Sequence, residues 1–332
     1  MPYPTVSIAM ATYNGEKFLS KQLESFSCQT LMPDELVVCD DGSRDGTLAI
    51  LEAYAAEAQF PVRIIKNDTN LGYSANFAKA TSLCKGEIIL FSDQDDIWFD
   101  DKVELMTKHL VETGDYAVTH NFSVKYHDGR DDILSFDEFL KLSGLPPAYN
   151  IHGCCMAFRR SIIERCGWAD PPSSSGHDRW IILIATLYNR RGCIAKPLMV
   201  RRIHGDNVAG GWVPGGDRRF RRLFRKLRFP PFTSNDELNL HIAHWVGAPG
   251  LASSKRLVWK LEDDLPAGVV SRALIGMECN ERMRSFVLGP TYKTPLARTA
   301  RAIYLFLTLN YRFSDGIQGF FLDILGRRDN YD

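Results

Sequence analysis

The chain of 332 residues lacks any uninterrupted apolar run near the roughly 20 residues that span a bilayer, so a soluble or peripheral protein is expected. It lacks a charged segment ahead of the short apolar run in "MPYPTVSIAMATYNG", so no signal peptide is expected. It lacks C-x-x-C. The eight cysteines are irregularly spaced, Cys154 and Cys155 are adjacent, and contexts such as Cys39 in "LVVCD" read as buried reduced thiols in a reducing cytosol. It lacks both G-x-G-x-x-G and G-x-x-x-x-G-K-[ST], which argues against a dehydrogenase and a P-loop NTPase. Repeats and low-complexity tracts are also missing. Net charge is zero, with 40 basic and 40 acidic residues. That balance hides a split, because residues 1–200 carry about 19 basic and 27 acidic side chains and residues 201–332 about 21 and 13. Two regions are expected, 1–214 and 215–332.

What is present begins with alternation. Strand-like "TVSIAMATY", "ELVVCDDGS", "VRIIKN" and "EIILFSD" are separated by helical "GEKFLSKQLESFSCQ", "RDGTLAILEAYAAEA" and "GYSANFAKATSLCK". The first helix places Phe18, Leu19, Leu23 and Phe26 on one face. This pattern predicts an α/β fold with a mostly parallel sheet covered on both faces. Ligands in such sheets bind beyond the carboxyl ends of the strands. The polar clusters "TYNG", "DDGS", "NDTNLGYSANF" and "SDQDD" all fall there, so a site is expected at that edge. Further on, "YAVTHNFSVKY" reads as a strand of a mixed sheet, "SIIERCG" as a short helix, "HDRWIILIATLYNRRG" as an apolar helix and "CIAKPLMVRRIHGDN" as a strand running into a polar turn. The region beyond about residue 215 is basic and mainly helical.

Asp93 and Asp95 in "SDQDD" offer the oxygen ligands that suit Mg²⁺ or Mn²⁺. The alternative is a turn in which Asp95 or Asp96 caps the next helix. Asp100 and Asp101 read as helix-start residues that favour the helix dipole. Asp96 stays open between cap and site, and Trp98 between bracing the loop and facing a sugar. Asp40 or Asp41 in "CDDGS" forms either a strand-to-turn exit or an acceptor for a base N–H or ribose hydroxyl. Asp178, after His177, forms either an N-cap or a general base, and "PPSSSG" before it reads as a mobile wall. His204 forms either a loop histidine or a metal or phosphate contact beside Arg201 and Arg202.

The blocks "SIAMATYNGEKFLSKQLESFSCQT", "ELVVCDDGSRDGT", "NLGYSANFAKA", "SDQDDIWFDDK", "HGCCMAFRRS", "GHDRWI" and "RRIHGDN", in this order over about residues 5–210, resemble the family 2 glycosyltransferases of the GT-A fold. "SDQDDIW" with "HDRW" looks most like the bacterial rhamnosyltransferases of surface polysaccharide synthesis. The resemblance implies a Rossmann-like mixed sheet sandwiched by helices. It implies that Thr12, Tyr13 and Asn14 line a nucleotide pocket, and that Asp40 or Asp41 holds the base or ribose. Asn70, Gly72 and Asn76 border nucleotide and sugar, with Asp93 and Gln94 beside them. Asp93, Asp95 and His204 approach a divalent cation, Mn²⁺ or Mg²⁺. Asp178 is the base of an inverting transfer. Trp98, His177, Arg201 and Arg202 belong to the acceptor or phosphate side. The implied partners are a dTDP- or UDP-sugar donor and a glycan or lipid-linked glycan acceptor. The Q-x-x-R-W motif of processive synthases is missing, so one transfer per acceptor is expected.

A nucleotidyltransferase would want a basic, glycine-rich loop after the first strand, which "ATYNGEKFL" does not supply. A non-catalytic nucleotide- or glycan-binding module would not need Asp178. "RRFRRLFRKLR" at 218–228 places Phe220, Leu223, Phe224 and Leu227 on one face among basic residues. It reads as a basic amphipathic helix lying on an anionic membrane, or packed on the catalytic domain. Nothing else in the chain supports nucleic-acid binding. Residues 255–313 are candidates for pairing protomers. The expected location is the cytoplasm, with peripheral contact at the inner face of the membrane.

Overall fold

The computed structural model describes residues 3–126, 152–169, 176–204, 251–265, 269–275 and 277. The basic segment 218–228, most of the candidate pairing region 255–313, the "PPSSS" stretch and the expected boundary after residue 214 lie outside the described residues. The chain divides into two compact units, Met1–Ala185 with Arg190–Pro231, and Thr186–Asn189 with Phe232–Asp332.

In the first unit the alternation is realised. The elements are β1 (Val6–Thr12), α1 (Leu19–Ser27), β2 (Glu35–Asp40), α2 (Thr47–Glu57), β3 (Val62–Lys66), α3 (Tyr73–Leu83) and β4 (Ile88–Ser92). Next come a two-residue β5 (Ile97–Trp98), α4 (Lys102–Thr113), β6 (Ala117–Tyr126), β7 (Met156–Arg159), α5 (Ser161–Cys166), α6 (His177–Leu187) and β8 (Arg191–Ile203). The apolar helix is therefore shorter than its sequence pattern, and β8 starts two residues earlier than expected. In the second unit, α7 (Leu251–Lys260) is helical and amphipathic. Among the described residues no helix is long and apolar enough to cross a membrane.

Eight strands form one sheet in the order β3-β2-β1-β4-β7-β6-β8-β5. The pairs β3–β2, β2–β1 and β1–β4 are parallel. β7 runs antiparallel to both β4 and β6, and β8 returns parallel to β6 and carries β5 antiparallel on its far side. The reversals at β7 leave β6 and β8 pointing the same way as β1–β4, so six strands end at one edge. The middle of the sheet is buried on both faces, since all residues of β2 and β4 are buried. That is why these strands read as continuous apolar runs rather than alternating ones. α3 packs on β1 and β2, while α4 packs on β6, β7 and β8.

Register supports this arrangement at the opposite end of the sheet. Glu35 is buried at the start of β2, where Ser7 donates its hydroxyl at 2.7 Å and Lys85 its backbone N–H at 2.5 Å. Gly86 fits there because a Cβ would lie 2.6 Å from the Ser7 backbone nitrogen. This end is closed by internal hydrogen bonds, and the carboxyl edge carries the polar loops.

Candidate active site

β4 delivers Ser92, fully buried, and the chain then turns through Asp93–Asp96 before β5. Asp93 is half-buried. Burial first, then the charge of Asp95, pushes its carboxyl up to about 6, against the pull of Arg201. Asp96 is 1% exposed and is held well above the usual carboxylate range by burial and by Asp95 and Asp93. Among the described residues its Oδ2 has no hydrogen-bond partner. Asp96 is not a helix cap, because α4 begins six residues later. Asp101 does flank α4, but its carboxylate pairs with Lys196 and makes no capping bond.

Two cations answer the buried acids. Lys102 is fully buried and donates to the Cys154 carbonyl at 2.7 Å, with its ammonium 3.8 Å from the centre of the Trp98 ring. Burial pulls its pKa down to about 8 even though Asp96 and Asp93 oppose this. Arg201, 9% exposed, acts on both carboxylates and lies 5.8 Å from the Phe122 ring. Asp93, Asp96 and Cys154 bring ligand atoms within 4.8 Å of one another. Lys102 and Arg201 already supply counter-charge to that group, and a second set of candidate ligands lies on the Asp95 side.

On that side His204 Nε2 lies 2.9 Å from Asp95 Oδ2. Neighbouring ligands on one ion, each about 2.0–2.2 Å from it, are spaced at about this distance. The two side chains form a hydrogen-bonded pair whose carboxylate and imidazole are candidate ligands for a divalent cation. His204 is stacked on Phe18, ring centroids 3.9 Å apart and 18° between planes. Arg202 Nε donates to the Asp95 carbonyl, and its terminal nitrogen donates to the carbonyls of Phe18 and Asp96. The sequence pattern placed Phe18 among core residues of the first helix. It precedes α1 instead and serves as a platform for β8.

The expected nucleotide residues separate into two groups. Tyr13 and Asn14 are exposed, and Gln94 holds Tyr13 by donating to its carbonyl and accepting from its N–H. Asn14, at φ 48°, accepts from Arg44 N–H, while its own N–H donates to Ser43 Oγ. Asn70 and Gly72 also lie at this edge, with Gly72 at φ 79° donating to Asp41 Oδ2. Thr12, Asp40 and Asn76 are buried. Asp40 accepts from Thr12, from the N–H groups of Gly42 and Ser43 and from the Ser43 hydroxyl, so both its oxygens are filled by protein donors. Asn76 donates to the Cys39 carbonyl and accepts from Asn67. Asp41 is buried and accepts from Asn67, Leu71 and Gly72, yet it is the acid of the pair set directly under the Asn70–Gly72 turn. The sequence pattern did not single out Asn67, which links Asp41, Asn76 and Lys79.

Of the two readings left open for Trp98, the structure supports bracing. The side chain is 2% exposed, packs edge-on against Phe26 and lies under Lys102, so it braces the core and does not face a sugar. His177 is buried and stacked on Phe77 at 4.1 Å, with neither ring nitrogen meeting a hydrogen-bond partner among the described residues. Burial holds its pKa below the usual histidine value, against the pull of Asp178. Asp178 is half-exposed in the first turn of α6, accepts from Arg179 N–H at 2.7 Å, and is near enough to Asp93 to raise its pKa.

The model of glycosyl transferase family 2 matches residues 7–167. The dTDP-rhamnosyl transferase RfbG of Shigella flexneri is 30% identical over 214 residues, which is 60% of this chain and 73% of that protein. The chain belongs to glycosyl transferase family 2. EpsE of Bacillus subtilis is 34% identical to this family 2 chain over 136 residues, 41% of the chain but only 45% of that protein. The chain thus spans less than half the length of that relative. Among solved structures, S. aureus TarS in complex with UDP superposes with a TM-score of 0.53 at 16% identity, covering 98% of this chain and 89% of that one. The mannosyltransferase PcManGT of Pyrobaculum calidifontis, in complex with GDP-Man and Mn²⁺, gives 0.53 at 18% identity over 98% and 88%. At these identities the likeness is one of fold, and it is the expected GT-A architecture.

Proposed function

We propose that the chain is an inverting, cation-dependent glycosyltransferase that moves one sugar per encounter from a nucleoside-diphosphate donor to a glycan or lipid-linked glycan. The observation that carries this reading is the convergence of Asp93, Asp95, His204 and Asp178 at one edge of the sheet. The name of the S. flexneri relative favours rhamnose and a dTDP donor, with UDP the next choice.

In this reading Tyr13, Asn14, Asp41, Asn70 and Gly72 form the nucleotide side. Asp95 and His204 would hold Mn²⁺ or Mg²⁺, whose chemistry is to neutralise charge on the departing diphosphate. Asp178 takes the proton from the acceptor hydroxyl as that oxygen attacks the anomeric carbon from the face opposite the leaving group. One displacement inverts the configuration, and no second carboxylate is needed as nucleophile. His177 stays neutral and stacked, and so fixes the turn of α6 that carries Asp178. Peripheral membrane contact through the basic segment 218–228 would give access to a lipid-linked acceptor.

The test is a thermal-shift panel of dTDP-, UDP- and GDP-sugars with and without Mn²⁺, followed by product analysis with the donor that stabilises most. A cation-dependent shift with one donor supports the reading. Equal shifts from every nucleotide with and without Mn²⁺ would sink it.

A further inference from the structure

Resting on the cation-dependent reading above, we propose that Arg202, helped by Gln94, is a positioning residue that locks the aspartate loop so that Asp95 is aimed before the cation arrives.

A four-residue loop bearing three carboxylates has every electrostatic reason to splay. Two side chains tie it to the neighbouring Tyr13–Phe18 segment and to β8. Gln94 uses its amide as a strand neighbour would, accepting from Tyr13 N–H at 2.9 Å and donating to the Tyr13 carbonyl at 3.0 Å. Gly15 leaves room for this, because a Cβ there would lie 2.3 Å from Gln94 Oε1. Arg202 reaches the loop from β8. Its Nε donates to the Asp95 carbonyl at 2.5 Å, and one terminal nitrogen donates to the carbonyls of Phe18 at 2.7 Å and Asp96 at 3.2 Å. The guanidinium carbon sits 5.1 Å from the centre of the Phe18 ring.

Arg202 and His204 are two apart on an extended segment, so they share a side. Both use Phe18 as their platform. Arg202 therefore fixes the main chain of Asp95 while His204 meets its carboxylate. A planar fork of donors can join three carbonyls, whereas a lysine ammonium on a flexible stem is a single point. The sequence placed Arg202 on the acceptor or phosphate side. The geometry assigns its Nε and one terminal nitrogen to the protein backbone. Groups that orient a metal ligand in this way typically change metal affinity by about 10- to 100-fold when removed.

The experiment is calorimetric titration of dTDP and of UDP into the full chain, with and without saturating Mn²⁺, for wild type, Arg202→Lys, Arg202→Ala and Gln94→Ala. Melting curves establish that each variant is folded, and Arg202→Lys stands in if the alanine variant is not. The expected result is unchanged nucleotide affinity without Mn²⁺ in both Arg202 variants. The Mn²⁺-dependent gain should fall by about 10- to 100-fold, with no rescue by lysine and a smaller loss in Gln94→Ala. Two outcomes overturn the inference while leaving the function intact. One is wild-type behaviour in every variant. The other is a loss of metal-free affinity in Arg202→Ala that lysine restores, which would make Arg202 a phosphate contact. A wild type with no Mn²⁺-dependent gain overturns the cation reading itself.

Discussion

His204 Nε2 and Asp95 Oδ2 meet at 2.9 Å although 109 residues separate them in the chain. One side chain comes from the end of β8 and the other from the loop after β4. If these two atoms share a divalent ion, Asp95→Ala should abolish the tightening of dTDP or UDP binding by Mn²⁺. His204→Ala should weaken it by about tenfold or more. Chelation of the wild type should mimic Asp95→Ala. Nucleotide titrations with and without the ion check this, and full Mn²⁺ dependence in Asp95→Ala would refute the ligand assignment.

Asp178 should separate chemistry from binding. Asp178→Asn keeps the shape of the side chain but removes the base, so transfer should drop by roughly 10²- to 10⁴-fold. Nucleotide affinity should stay at the wild-type value. Steady-state transfer assays paired with calorimetry make the comparison, and retained turnover would move the base elsewhere.

Gly153 tests how finely that base is held. A Cβ at this position would lie 2.7 Å from His177 Nε2 and 3.4 Å from Asp178 Cβ. His177 is wedged against Phe77 and Phe91 and cannot retreat easily. Gly153→Ala should shift the first turn of α6 and lower kcat by about 10- to 100-fold with donor KM nearly unchanged. A normal kcat would mean that the turn tolerates displacement.

Glu35 should govern acid stability without touching catalysis. Burial alone would raise its pKa, but the Lys85 N–H, the Ser7 hydroxyl and Arg63 outweigh this and hold it below the ordinary value. A lowered folded pKa means that the ionised form is favoured by folding. Its contribution is therefore fully present above about pH 4.3 and is lost as pH falls through the folded value. Glu35→Gln should cost about 1.5–3 kcal/mol at pH 7. That gap to wild type should narrow steadily as pH falls below about 4.3, as followed by urea unfolding over a series of acid pH values. A gap that does not narrow at all on acidification would rule out the carboxylate's charge as the cause.

These outcomes also mark what the amino-acid order revealed. Strand–helix alternation over the first hundred residues was readable because fully buried parallel strands and amphipathic helices carry different periods. The edge bearing the site was readable because polar clusters followed each strand. Which way individual side chains turn was not. Thr12, Asp40 and Asn76 look like ligand residues in sequence, yet they are buried and spend polar atoms on neighbouring strand ends and loops. Trp98 sits in a two-residue strand whose existence depends on Met199 and Val200, about a hundred residues away. The part played by Arg202 could not be read from its neighbours, since its partners are main-chain atoms of two distant segments.

β8, the last strand of the sheet to be synthesised, brings Arg201, Arg202 and His204 to a loop made more than a hundred residues earlier. A chain cut short of residue 200 would keep Asp93–Asp96 but lose Arg201, Arg202 and His204, so this loop and its partners are complete only once residue 204 has been made.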